Sequence, residues 1–357
     1  MRKIFYLLPL VVLILTGAGC LSFGSSTAGP MGVFTSADKG ETWAESNVYP
    51  TVKGVQSVAG ARIFRLHTDP SDPNAIYMAT RGQGLFYSYN NGGSWQTFSA
   101  LAGKFIYGFT VAPQDKCVMY ASDGQHIYKT DDCGRKWNLS YTEERPSEHV
   151  TALAVDYGNI NIVYGTLIGG DFMLSEDGGR SWKVTARFGF ETQYMVADQF
   201  RPKRVYVATQ RNGLQRSDDG GRTFQDLSEG LDNFSDSSNF YRLALNPKTP
   251  GGLFWISKYG ILESNDAGVT WSELKLLTPP GGVNIYAFAI NPGNLNEIYY
   301  TGTILGQKNE HVRSTFYKTT DGGKSWVTKK LPTNSIPVSL LISPNNDKRL
   351  FLGFTSL

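Results

Sequence analysis

Apolar and polar positions alternate along this chain in short runs. Ile76-Tyr77-Met78-Ala79-Thr80 and Leu85-Phe86-Tyr87-Ser88 are representative, and turn formers separate them. Runs of four to six residues bounded by Gly, Pro, Asn and Asp predict β-strands. The turns before the second strand of a unit include Asp69-Pro70, Ala112-Pro113, Asn246-Pro247, Asn291-Pro292 and Ser343-Pro344. Proline there lies outside the strands and removes no ladder hydrogen bond. A glycine-containing turn leads to the third strand, and a polar turn to the fourth.

That last turn repeats. The frame Ser/Thr-x-Asp-x-Gly-x-Ser/Thr-aromatic recurs seven times with small variations, as in Ser175-Glu176-Asp177-Gly178-Gly179-Arg180-Ser181-Trp182. Its acidic position is held by Asp38, Asn90, Asp132, Asp177, Asp219, Asp266 and Asp321. Its aromatic position is held by Trp43, Trp95, Trp137, Trp182, Phe224, Trp271 and Trp326. Successive acidic positions are 52, 42, 45, 42, 47 and 55 residues apart, and a period of this length means a repeat architecture. The carboxylate is expected to bond backbone N–H groups of its own turn. The glycine takes a positive φ, and the aromatic ring buries against a neighbouring unit. Calcium binding is the alternative role for these acids, but the calcium-loop pattern with its acid at position twelve is absent.

Four short antiparallel strands per 40 to 50 residues describe one blade of a β-propeller. Residues 32–36 read as a third strand lacking its first two, and residues 338–343 and 349–354 read as a first and a second strand lacking a third. The ends therefore complement each other. The expected fold is all-β: a seven-bladed propeller of four-stranded antiparallel blades, one blade shared by N- and C-terminal strands, which removes exposed edges.

The repeated turn resembles the Asp-box, or bacterial neuraminidase repeat, which is structural in the propeller families that carry it. Residues 32–357, with their Asp-Pro turns, Ile-Tyr strands and repeated acidic turns, resemble the single propellers related to the photosystem II assembly and stability factor. They also resemble sortilin-type propellers and xyloglucan-cleaving glycosidases. The first resemblance implies an assembly or scaffold role.

Met1-Arg2-Lys3 followed by an apolar run over residues 4–15 reads as an export signal, too short for a comfortable membrane span. Thr16-Gly17-Ala18-Gly19-Cys20 resembles a bacterial lipoprotein signal, which implies lipidation of Cys20; an ordinary cleaved signal is the alternative. Residues 1–20 are thus the signal, 21–31 a flexible tether, and 32–357 the propeller. Loss of Arg2 and Lys3 with the signal takes the 34 basic residues to 32, against 31 acidic. That balance gives no reason to expect nucleic acid as a partner. The expected partner is a protein or extracellular polymer near the membrane surface, bound by a monomer held there through its lipid anchor.

Cys117 and Cys133 fall opposite one another across a predicted hairpin, which in an exported chain favours a disulfide; two unpaired thiols are the other reading. Neither a metal site nor a cofactor is expected. Long connections at residues 47–61, 228–239 and 302–313 are candidate functional loops. Phe64, Tyr107, Tyr241 and Tyr286 occupy the same place at the start of their first strands, near the channel mouth. Arg65 and Arg242 follow two of them, and Arg81 and Arg211 lie in neighbouring loops. Such a rim suits a carbohydrate or a protein segment; packing between blades is the other reading. A glycosidase needs two carboxylates across the scissile bond, and Asp123, Asp171, Glu191 and Glu310 are the candidates the sequence offers without pairing them.

Overall fold

The computed structural model describes residues 29–356; Cys20, the signal and most of the tether lie outside them. Seven four-stranded antiparallel sheets are arranged as blades around a channel. Blade 1 is Ile63–Thr68, Ile76–Thr80, Leu85–Ser88 and Gln96–Thr97. The first strands of blades 2 to 7 are Gly108–Ala112, Val150–Val155, Thr192–Ala197, Phe240–Leu245, Asn284–Asn291 and Ile336–Ser343. These first strands touch one another from blade 2 round to blade 1 and wall the channel.

Blade 7 closes the ring. Its second strand, Asn346–Thr355, pairs on one side with Ile336–Ser343 and on the other with Gly32–Ser36, Val33 opposite Gly353 and Ser36 opposite Leu350. The hydrophobic core is correspondingly divided into layers between blades, such as Tyr77, Leu85 and Phe98 of blade 1 against Ile106, Phe109 and Met119 of blade 2. Each sheet is buried on both faces, which is why the inner strands are apolar almost throughout.

The seven repeated turns share one geometry. In blade 3, Asp177 Oδ1 accepts from the backbone N–H groups of Arg180 and Ser181, both at 2.9 Å. Asp177 Oδ2 accepts from the Ser181 hydroxyl at 2.6 Å, and the Gly179 N–H donates to Ser175 Oγ at 2.8 Å. The N–H of the residue after the acid docks on the turn between strands one and two of the same blade, as Gly178 does on Asn161 O at 2.9 Å. Blade 2 adds a covalent link at this place, where Cys117 and Cys133 form a disulfide. The frame glycine does more than supply a positive φ. At Gly221 (φ +79°) an added Cβ would lie 2.2 Å from the Phe172 ring of the preceding blade, and at Gly134 2.0 Å from Phe98. The turn is pressed onto its neighbour, so the frame is also an inter-blade contact.

The carboxylates feel these donors. The Thr42 hydroxyl holds Asp38 down at about 2, and the Ser325 hydroxyl does the same for Asp321, again to about 2. A carboxylate whose folded pKa lies below its unfolded value of about 3.9 stabilises the fold above that value and loses its contribution as pH falls through the folded pKa. The melting temperature is therefore expected to fall between about pH 4 and pH 2. Asn90 makes the same turn with an amide, accepting from Ser94 N–H at 2.9 Å, so Asp321→Asn is expected to make the fall shallower. A thermal melt across that pH range tests this; an unchanged slope would remove the turn carboxylates from the account.

Two of the three long connections are structural. Residues 47–61 hold a hairpin, Val48–Thr51 with Gly54–Ser57. It lies on blade 1, where Trp95 N–H donates to Val48 O and the Tyr49 ring meets Phe86 edge-on at 5.7 Å. Residues 228–239 begin with a 3-10 turn, Ser228–Leu231, that buries Leu231, and the Trp255 indole caps Ser237 O at 2.8 Å. The expected loop at 302–313 is mostly strand: Asn294–Leu305 and His311–Thr319 pair out to Leu305 opposite His311. Turn formers are sparse there, and the ladder continues until Gly306.

Candidate functional site

The mouth of the channel, on the face opposite the seven turns, is a concavity of roughly 350 Å³. Its construction is a repeated backbone device. In blades 1, 3, 4, 5, 6 and 7 the pairing of strands one and two slips by one residue near the start of the first strand. The extra residues are Phe64, Thr151, Gln193, Tyr241, Tyr286 and Val338. In blade 2, Tyr107 stands at the equivalent place, its N–H donating to Ser122 O at 2.9 Å. A bulge leaves its extra residue unpaired and re-aims the side chain. All seven of these residues line the mouth.

One residue further along, blades 1, 4 and 5 carry Arg65, Tyr194 and Arg242, while blades 2, 3, 6 and 7 carry Gly108, Ala152, Ala287 and Ser339. The small residues leave room that the large ones cross. Arg65 reaches over to blade 4, where its guanidinium lies 4.3 Å from the Tyr194 ring centre and donates to Gln193 O at 3.4 Å. Arg242 donates to Tyr286 O at 3.1 Å and Val338 O at 2.7 Å. Both guanidinium groups are surrounded by protein yet touched by channel solvent. Burial pushes Arg65 down to about 10 and lowers Arg242 as well. Burial, with the Arg65 charge second, holds His67 just beneath them at about 3, so it is neutral at physiological pH.

Aromatic rings form the wall. Phe105 and Tyr107 stack at 3.9 Å, Phe64 meets Phe105 at 5.1 Å, and Tyr241 meets Tyr286 at 5.3 Å. Arg81, exposed at the edge, stands 5.3 Å over Phe64. The Tyr241 hydroxyl donates to Asn284 Oδ1 at 2.6 Å.

Seven of the eight residues singled out by sequence thus converge: Phe64, Arg65, Arg81, Tyr107, Tyr241, Arg242 and Tyr286 all line the mouth. Arg211 does not. Its N–H is tied to Ser238 O at 2.9 Å in an exposed turn of positive φ, so its loop folds onto the 228–239 connection. Sequence reasoning missed Thr151, Gln193, Val338, Phe105 and His149. The first three sit at the register of Phe64 but carry no shared side-chain chemistry, so position counted from the following turn was the signal for them. Each of the four carboxylates considered for hydrolysis is already bonded within the protein. Asp123 pairs with Lys104 at 2.7 Å, Asp171 with Arg145 at 3.1 Å and Arg187 at 3.3 Å. Glu191 accepts from the Gln193 amide at 2.6 Å, and Glu310 from the Lys308 N–H at 2.8 Å. None of the four lines the mouth. The described residues contain no cluster of His, Cys, Asp and Glu fit for a metal ion, and none of their helices is long and apolar enough to cross a membrane.

The fold and mouth define a seven-bladed β-propeller with a concave site at its channel mouth. Comparison with known proteins agrees on the fold. No family model matches the chain. It is 26% identical over 216 residues to a probable oligoxyloglucan-reducing end-specific xyloglucanase of Neosartorya fischeri, a match covering 55% of this chain and 26% of the relative. Xyloglucanase Xgh74A of Acetivibrio thermocellus is 24% identical over 247 residues, covering 55% of this chain and 29% of that protein. The chain therefore spans under a third of the length of these curated relatives. Among solved structures, the GH74 xyloglucanase of Xanthomonas campestris superposes with a TM-score of 0.64 at 17% identity, over 83% of this chain and 51% of the other. YCF48 bound to a D1 peptide gives 0.60 at 14% identity, over 83% and 93%. YCF48 from Cyanidioschyzon merolae gives 0.61 at 12%, over 82% and 96%. At these identities the likeness is one of fold.

Proposed function

We propose that this protein is an extracytoplasmic binding or scaffold propeller, tethered to the membrane through Cys20, whose channel mouth holds a segment of another protein. A role in assembling an envelope or membrane complex follows from that placement. The carrying observation is the ring of six bulge residues and Tyr107 around two arginines, a concave, aromatic and cationic site lacking a lining carboxylate. Sites rich in Tyr, Phe and Arg carry binding energy out of proportion to their area. YCF48, similar in fold over nearly its whole length, has been solved with a peptide bound, which supports the reading by analogy.

The xyloglucanase relatives support a second reading, hydrolysis of an extracellular glucan. Retaining and inverting glycosidases alike work with two carboxyl groups about 5 to 10 Å apart. The mouth supplies no such pair, so catalysis would require a different cleft. Purified protein is expected to release no reducing ends from xyloglucan; release that survives purification to homogeneity would overturn the binding reading.

The direct test is capture from detergent-solubilised native membranes, with partners identified by mass spectrometry. Tyr107→Ala with Tyr241→Ala is expected to weaken capture of the specific partner tenfold or more, about 1.4 kcal/mol. Both rings are half-buried, and a melting curve taken in parallel separates loss of binding from loss of fold. Equal capture by the folded double variant would place the partner elsewhere on the propeller.

A further inference from the structure

We propose that the floor of the mouth is a carboxylate site, built by Arg65 and Arg242, that takes the acidic side chain or terminal carboxylate of a polypeptide entering end-on. The inference rests on the binding reading above and adds the chemistry of the ligand. Its first support is electrostatic. Two guanidinium groups are held in one enclosed space, and the charged groups acting on Arg65 are the cations Arg242 and Arg81, with no carboxylate among them. Among the described residues Arg242 likewise has only carbonyl partners, Tyr286 O and Val338 O. Two other enclosed arginines are paired with a carboxylate: Arg204 and Arg216 both bond Asp218, at 2.5 and 3.0 Å. A buried cation without a partner is costly, and a guanidinium offers five N–H donors in a planar fork that fits a carboxylate. Arg65 uses one donor and Arg242 two, and both side chains line the concavity.

The second support is shape. Arg65 laid over Tyr194 separates the mouth from a smaller space beneath, about 130 Å³, which both residues also line. The crossing of Arg65 to Tyr194 narrows the channel below the mouth. A narrowed channel suits a side chain or a chain end better than a threaded polymer. The third support concerns the wall. Phe105 and Tyr107 cover each other's faces, and Arg65 and Arg81 lie over Phe64. With Arg81 also 5.7 Å from the Phe105 ring and His149 5.0 Å from Tyr107, these three rings leave little open face on which a sugar ring could lie flat, which favours a polypeptide over an acidic polysaccharide.

The probe is a fluorescein-labelled hexaglutamate peptide, titrated against the purified propeller by fluorescence polarisation, with hexaglutamine and oligogalacturonate as the other arms. Hexaglutamate is expected to bind and hexaglutamine is not. Unlabelled glutarate is expected to displace the peptide, and Arg65→Gln to weaken binding tenfold or more. Arg242→Gln is expected to do the same, but it also removes two inter-blade bonds. Should that variant fail to fold, Arg65→Gln and glutarate displacement on the unaltered protein decide the matter. Undiminished hexaglutamate binding by folded Arg65→Gln, or absent binding to the unaltered protein, would overturn the site. Oligogalacturonate binding more tightly than the peptide, with the same arginine dependence, would overturn the polypeptide assignment. A membrane partner lost with the tyrosine double variant but kept by Arg65→Gln would leave the binding reading standing and remove the carboxylate site.

Discussion

A chain shortened after Ser343 is expected to yield no closed ring. The deletion removes Asn346–Thr355, the strand lying between Ile336–Ser343 and Gly32–Ser36 in the shared blade. Leu350, Phe351, Leu352 and Phe354 on it are all fully buried. Burial of one large apolar side chain contributes about 1.5 to 3 kcal/mol, so four of them amount to roughly 6 to 12 kcal/mol. A whole domain has about 5 to 15 kcal/mol of net stability, and the lost ladder bonds come on top. The loss is also placed where it does most harm. Phe351 packs under Gly92 of blade 1, while Leu350, Leu352 and Phe354 belong to the layer shared with blade 6. Two inter-blade contacts open together, and Gly32–Ser36 loses its partner. Circular dichroism and a thermal melt of the shortened chain are the measurement. A cooperative transition within a few degrees of the full chain would mean that six blades and a fragment suffice.

Trp95→Ala is expected to cost about 3 to 5 kcal/mol, more than alanine at any other aromatic position of the seven turns. Trp95 is fully buried and its indole N–H donates to Ser46 O at 2.6 Å. The hairpin at 48–57 is what covers it. Trp182 and Trp326 hold the same place in their frames but stay partly exposed, so less apolar surface is lost when either is truncated. Urea unfolding of the three alanine variants should therefore rank Trp95→Ala lowest in midpoint by a clear margin. Equal midpoints would mean that the hairpin adds nothing to the ring's burial there.

The export signal and the proposed lipid anchor concern residues 1–28, outside the described structure. The disulfide had two readings in the sequence, and the structure joins Cys117 to Cys133 because the turn and the strand entry meet at this place in every blade. The long connections show the opposite lesson. Length alone marked residues 47–61 and 228–239 as candidates for function, whereas each packs on an indole of its own neighbourhood, Trp95 in one case and Trp255 in the other. Arg211 shows it again, since a loop arginine and a channel arginine look alike until the backbone has placed them.

By itself the sequence determined the repeat, the four-stranded blade, the count of seven and the shared closing blade. Each of these is written in local chemistry: a polar turn with one acid and one glycine, short apolar strands, and prolines where no ladder bond is needed. It also picked out four of the seven ring positions, Phe64, Tyr107, Tyr241 and Tyr286, because aromatic side chains stand out by type. Thr151, Gln193 and Val338 completed the ring only in the tertiary structure, as did the crossing of Arg65 to Tyr194, 129 residues away in sequence. The mouth exists because closure brings one residue from every blade to a common axis, and no local pattern carries information about an axis.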